Sequence, residues 1–87
     1  MPSYLVELYL PRSRPHDVGL SEGRARNAAD ELSREGTPIR HVRTTFLPDD
    51  ETCFHVFEAE SVAAVDEACV RARLGHVRIV RAVEGAR

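Results

Sequence analysis

The stretch that most constrains this chain is residues 39–58, which the pattern predicts to be a β-hairpin. Two runs rich in β-branched and aromatic residues flank Pro48, Asp49 and Asp50, which favour a turn. Side chains alternate between the faces of a strand, so the loop length decides which residues share a face. A three-residue loop with Leu47 opposite Glu51 puts the even positions of both strands on the core face, and a five-residue loop does the same.

The rest of the chain predicts one further strand and one helix on each side of this hairpin. We expect a strand at 3–10, a helix from Ser13 or Asp17 to Glu35, a helix from Ser61 to Gly75 and a strand at 76–83. Two successive β-α-β units are typical of a ferredoxin-like α+β fold, βαββαβ, with strand order 4-1-3-2 and both helices on one face. We expect one domain over residues 1–84 and a short tail over 85–87.

This register divides the sheet into two faces. The predicted core face holds Tyr4, Val6, Leu8, Val42, Phe46, Phe54, Val56, Val77 and Ile79. The predicted outer face holds Leu5, Glu7, Tyr9, His41, Arg43, Thr45, Cys53, His55, Phe57, Val80 and Ala82. A solvated strand face would be mostly polar, so the apolar members of the outer face indicate an interface. We therefore expect a homodimer that packs through this face as a dimeric α+β barrel, with a pocket between the sheets.

Charge and hydropathy narrow the class of partner. The 87 residues carry a net charge of −2, which disfavours nucleic acid as a partner. No apolar run has transmembrane length and no secretory signal pattern is present, so we expect a cytoplasmic protein with no membrane contact. Cys53 and Cys69 are expected on opposite faces of the sheet, as two free thiols that cannot form a disulfide.

The candidate site residues belong to the predicted outer face. His55 is the first candidate as a metal ligand or general base, and its structural alternative is a hydrogen-bonded histidine at the dimer interface. A carboxylate on an apolar face needs a partner. Glu7 either forms an ion pair with Arg43, or works with His55 as a metal ligand or as the group that orients the base. His41 and Cys53 complete the candidate metal set.

The expected pocket shares some of these residues. Glu7, Tyr9, Arg43 and Phe57 are the candidates for binding a small ligand there. Tyr9 offers a hydroxyl group that could cap such a pocket, or its ring simply fills the space. The carboxylates of Asp49, Asp50 and Glu51 are expected to be a solubilising turn and are not part of the site.

The segments MPSYLVELYLP, IRHVRTTFLPDDET and CFHVFEAESVAAVDEA resemble a family of short bacterial ferredoxin-like proteins, over roughly residues 2–83. Most members have no known function, and one is described as nickel-binding. The resemblance implies a compact dimer and a divalent metal, nickel or zinc. This chain has His55 and Cys69 where the nickel-binding member carries a cysteine and a histidine.

Three functions follow as hypotheses. The first is a homodimer, not an enzyme, that binds a metal ion or a small ligand on the helix-free sheet face. The second is a cofactor-free dimeric α+β barrel enzyme of oxygenase or isomerase type, with His55 or Glu7 as base and an apolar substrate between sheet and helices. The third is a structural or regulatory module whose sheet face contacts another protein.

Overall fold

A computed structural model describes residues 1–83 of the chain. It is an α+β structure with strands β1 (Ser3–Tyr9), β2 (Ile39–Leu47), β3 (Thr52–Ala59) and β4 (Arg78–Ala82), and helices α1 (His16–Arg34) and α2 (Val62–Arg71). A turn of 3₁₀ helix, Pro48–Asp50, joins β2 to β3. Residues 84–87, which include the expected tail, lie outside the described residues.

The four strands form one antiparallel sheet in the order β2-β3-β1-β4, which is β4-β1-β3-β2 read from the opposite edge. Both helices share one hydrophobic core with the same sheet residues, so both lie on one face. That core joins Val6 and Phe57 of the sheet to Leu32 of α1 and Val65 of α2. The arrangement is compatible with a ferredoxin-like fold.

The hairpin loop is one residue longer than predicted, which inverts β3. Leu47 pairs with Thr52, so four residues connect the strands, and Glu51 takes a left-handed conformation with φ 49°. A shift of one residue moves every side chain of a strand to the other face. Because Val6 of β1 faces the helices and pairs with His55, the odd positions of β3 also face the helices.

A second irregularity lies in β2. His41 pairs with Phe57 and Arg43 pairs with Val56, which leaves Val42 as the extra residue of a β-bulge. Before the bulge the odd positions of β2 face the helices, and after it the even positions do. His41 is therefore covered, while Arg43 and Thr45 point to the open face.

The face assignment of six residues was therefore wrong. Four residues predicted on the outer face lie beneath the helices: His41, Cys53, His55 and Phe57. Two residues predicted in the core lie on the open face: Phe54 and Val56. Twelve predicted positions on β1, β2 and β4 are correct: Tyr4, Leu5, Val6, Glu7, Leu8, Tyr9, Arg43, Thr45, Phe46, Ile79, Val80 and Ala82. Val77, just before β4, packs against the core as predicted.

Helix α1 presents a stripe of small residues to the sheet. Ser21, Ala25, Ala28, Ala29 and Leu32 are buried, and the short side chains bring the helix close to the strands. The helix begins after Pro15, which makes no side-chain cap, rather than after Ser13 or Asp17. Its end is as predicted, with Gly36 at φ 100°.

Helix α2 begins as predicted, because the Ser61 hydroxyl accepts a hydrogen bond from the backbone N–H of Ala64. It ends at Arg71, earlier than expected, and Arg73 follows at φ 54°. The guanidinium of Arg71 donates to three carboxylates, those of Glu31, Glu35 and Glu67, and so ties α2 to α1.

Candidate functional site

The densest polar group inside the protein surrounds His55, which is fully buried between β3 and α1. Its Nε2 lies 2.8 Å from the Oγ of Ser21 on the buried stripe of α1. Its Nδ1 lies 2.8 Å from Thr44 Oγ1 and 3.1 Å from His41 Nε2, both on β2. We call these four residues the histidine network.

The hydrogen-bond directions in this network follow from one atom. His41 Nδ1 is buried and, within residues 1–83, has no hydrogen-bond partner. An unpaired acceptor is tolerated more readily than an unpaired N–H, so we place the His41 proton on Nε2. That N–H can donate to His55 Nδ1 or to Thr44 Oγ1, which lies 3.0 Å away, and in the second case the Thr44 hydroxyl donates to His55 Nδ1. With either arrangement we assign His55 Nδ1 as an acceptor, so that His55 Nε2–H donates to Ser21 Oγ. The Ser21 hydroxyl is left with its own hydrogen to donate.

The two imidazoles are held neutral. Burial, then the neighbouring His41 and the charge of Arg24, lower the pKa of His55 to about 4. Burial also lowers the pKa of His41, with Arg26 acting in the same direction and Glu22 against it. Both rings are therefore uncharged hydrogen-bonding groups at neutral pH.

Two other predicted site residues lie on the same covered face. The ring of Phe57 is 5.3 Å from that of His41 and 6.3 Å from that of His55, so it packs against the network rather than lining an open pocket. Cys53 packs in a separate small cluster with Leu8 and Leu10. Burial raises the pKa of the Cys53 thiol to about 11, which disfavours the thiolate that a ligand or nucleophile needs.

The remaining candidates, Glu7, Tyr9 and Arg43, lie on the opposite face, which no helix covers. The carboxylate of Glu7 accepts from Arg78 Nη1 at 3.4 Å across β1 and β4. Tyr9 is exposed at the end of β1, and Arg43 is exposed on β2. The structure therefore does not bring Glu7 together with His55.

The predicted metal set is divided in the same way. Glu7 is separated from His41, Cys53 and His55 by the sheet itself, so these residues do not fit a single ion. Among residues 1–83, no group of three or more His, Cys, Asp or Glu side chains is placed to hold a metal. The two cysteines are both free and buried on the helix side, so the opposite-face reason given for their separation was wrong.

The open face has an apolar centre. Val56, Leu5 and Val80 lie side by side across β3, β1 and β4, and Arg43 continues this row on β2. Phe54 lies in the next row, between Thr45 and Glu7. A shallow depression of about 260 Å³ is lined by Leu5, Arg43, Thr45, Leu47, Phe54 and Val56. We call this surface the open-face patch.

Sequence reasoning missed Ser21 and Thr44. Ser21 falls at helical spacing with Ala25 and Ala28, so a polar residue in the buried stripe of a helix was the available signal. Thr44 offered none, because the bulge at Val42 reverses the side to which it points.

Comparisons with protein-family models, with curated proteins and with solved structures found no match to this chain. Among residues 1–83, neither helix is both long and apolar enough to cross a membrane.

Proposed function

We propose that this protein is a homodimer of ferredoxin-like βαββαβ subunits, packed through their open sheet faces as a dimeric α+β barrel, and that it binds a small apolar ligand between the two sheets. The observation that carries the proposal is the open-face patch. Its residues Leu5, Phe54, Val56 and Val80 form one continuous apolar surface on a face that no helix covers.

The observed register of β3 supports this interface. Phe54 and Val56 were expected in the core, and they add an aromatic and a branched side chain to the open face. Leu5, Phe54 and Val80 are half-buried in the single subunit, whereas Val56 is only 7% exposed. Covering the exposed part of this surface would yield about 25 cal/mol per Å². A chain of 87 residues has a small core, so a second copy would add to the stability of the subunit.

The charges around the patch fit a second copy of the same surface. Arg43 lies at the end of the apolar row on β2, and the acidic groups Glu7 on β1 and Glu58 on β3 are paired within the subunit with Arg78 and Arg40. A two-fold axis brings each patch against itself, and a border that carries charges of both signs does not repel its own copy. A patch of one sign would repel its own copy.

The ligand part of the proposal rests on the depression within the patch. Two such hollows facing one another make one enclosed volume lined by apolar side chains, with Arg43 as the orienting polar group. Glu7 and Tyr9, the other predicted ligand contacts, line a separate hollow with Arg78 and Thr52. Phe57 lies beneath the helices and has no part in it.

The structure divides the residues of the two other hypotheses between the faces of the sheet. A nickel or zinc ion on the open face would need His41, Cys53 and His55, which point to the other side of the sheet. The enzyme hypothesis placed its substrate between the sheet and the helices, where His55 lies and Glu7 does not. The open face therefore keeps only Glu7 of the two candidate bases, which favours binding over catalysis there.

Multi-angle light scattering on variants tests the proposal. Val80→Asp places a charge in the apolar row of the patch, at a half-buried position of the edge strand β4, and we expect a shift from dimer to monomer mass. Val70→Asp is the matched control, because Val70 is 64% exposed on α2, and we expect it to remain a dimer. A wild-type chain of monomer mass, or equal effects of the two variants, would contradict the proposal.

A further inference from the structure

A second cavity lies on the helix side of the sheet, apart from the open-face patch. It has a volume of about 360 Å³ and lies between the end of β1, the first turns of α1 and the segment after α2. Leu8, Leu10 and Leu74 form its buried apolar floor. This volume is within the range of small-molecule sites, and its polar and apolar walls are on separate sides.

The polar wall comes from one stripe of α1. Asp17, Leu20, Ser21 and Arg24 are three or four residues apart, so their side chains lie on one face of the helix. Leu20 is 59% exposed at the rim of the cavity, so its apolar side chain is not stabilised by burial in the core. Ser21 is the one residue that belongs both to this stripe and to the buried stripe of α1.

The cavity carries a net positive charge on a protein of net charge −2. Arg14 and Arg24 line it with one acid, Asp17, and Arg14 Nε lies 3.0 Å from the Asp17 carboxylate. Arg24 donates from Nε to the carbonyl of Ala72, so its two terminal amino groups remain as donors; Arg24 also borders a smaller neighbouring hollow that Glu31 lines. The uncompensated charge at the cavity is therefore that of Arg24.

Ser21 supplies a directed donor. In the assigned hydrogen-bond order, His55 Nε2–H donates to Ser21 Oγ at 2.8 Å. The Ser21 oxygen therefore acts as an acceptor toward His55, and its own O–H can donate to a bound molecule. Ser21 is 2% exposed and lines the cavity, so an acceptor on a bound molecule can take this hydrogen where bulk water competes little.

We infer that this cavity binds a small monocarboxylate with an apolar body, whose carboxylate meets Arg24 and Ser21 and whose body rests on Leu8, Leu10 and Leu74. The two donors lie three residues apart on one helix, which suits the two oxygens of a carboxylate. The histidine network then has a role at this site: it orients the Ser21 hydroxyl.

The probe is hexanoate, titrated into the ¹⁵N-labelled full chain while amide shifts are recorded, with hexan-1-ol as the uncharged counterpart. We expect hexanoate to shift the amides of Leu10, Ser21 and Leu74 in the millimolar range or below, and hexan-1-ol to bind more weakly. Arg24→Gln should weaken hexanoate by at least about tenfold, because a hydrogen bond to a charged group is lost. Arg26→Gln, on the same helix outside the cavity, should leave it unchanged.

Variants at the exposed rim keep the test decisive if Arg24→Gln does not fold. Leu20→Lys should tighten hexanoate binding and Leu20→Glu should weaken it, since the two variants place opposite charges at the same exposed rim position. Equal binding of hexanoate and hexan-1-ol, shifts confined to the open-face patch, or no shifts at millimolar hexanoate would each overturn the inference.

Discussion

Ser21 Oγ and His55 Nε2 lie 2.8 Å apart in the interior, and this contact joins helix α1 to the third strand of the sheet. Both residues are almost fully buried. A neutral imidazole in such a place adds a hydrogen bond to the fold, while a charged one would cost free energy. The contact therefore makes the stability of the protein depend on pH.

We predict that the free energy of unfolding falls as the pH drops from about 6.5 to 4. The pKa of His55 is about 4 in the folded chain and about 6.5 once unfolded, so within this range only the unfolded chain takes up the proton. The loss is about 1.4 kcal/mol per pH unit and on the order of 3 kcal/mol in total. Urea unfolding across this range measures it.

The exposed histidine His76 provides the control for the pH dependence. His76→Gln should leave the dependence unchanged, whereas His55→Gln should reduce its slope even if the variant is less stable at neutral pH. A smaller dependence should remain, because burial also lowers the pKa of His41. An unchanged slope in His55→Gln would contradict the assignment of this titration to His55.

Replacing either hydroxyl of the histidine network should destabilise the protein, to different extents. Ser21→Ala leaves His55 Nε2–H buried without an acceptor, at about 1–3 kcal/mol. Thr44→Val should cost less, about 0.5–1.5 kcal/mol, because His55 Nδ1 keeps its contact with His41 Nε2 at 3.1 Å. Chemical denaturation at neutral pH compares them, with the exposed Ser13→Ala expected to change little. A larger loss of stability in Thr44→Val than in Ser21→Ala would contradict the assigned hydrogen-bond directions.

The two thiols should be unreactive while the protein is folded. Burial raises the pKa of Cys53 to about 11 and that of Cys69 to about 12. An aromatic disulfide reagent at slightly alkaline pH should label the folded chain at least about 100-fold more slowly than the urea-unfolded chain, since the reactive thiolate is depleted to that extent. Rapid labelling of Cys53 in the folded chain would show that its side of the sheet is open.

Two glycines should respond to alanine with opposite signs. Gly23 lies inside α1, where an added Cβ meets no atom within 4 Å, so Gly23→Ala should stabilise the protein by about 1 kcal/mol. Gly36 ends the same helix at φ 100°, so Gly36→Ala should destabilise it by about 1 kcal/mol or more. Thermal unfolding measures both, and a loss of stability in Gly23→Ala would contradict the open surroundings of that residue.

The hydropathy pattern predicted the elements and their order well, because the strands and helices have clear periodicities and strong end signals such as Ser61 and Gly36. It failed on the side of β3 that faces the helices, which depended on whether Glu51 belongs to the loop. It also failed on the direction of His41, which depended on the bulge at Val42. Neither irregularity can be recognised in an alternating pattern. A one-residue error moved His55 from the open face to the interior.

The error affected the candidate site most, because the predicted site combined residues of three strands. The faces of Glu7 and Tyr9 on β1 and of Arg43 on β2, after the bulge, were predicted correctly, and these three residues lie together on the open face. The histidine network was not predicted, because it depends on Ser21, and Ser21 reaches His55 only when α1 packs on β3. The apolar character of the open face was predicted, although Phe54 and Val56 replaced Phe57 as its members.

The most direct test of the dimer is an NMR sample that mixes ¹³C-labelled and unlabelled chains, in which only contacts between copies are recorded. The account predicts nuclear Overhauser effects from the methyl groups of Leu5, Val56 and Val80 to the partner chain. Intermolecular signals from Val62 and Val70 of α2 instead, or none at the concentration of the sample, would contradict it.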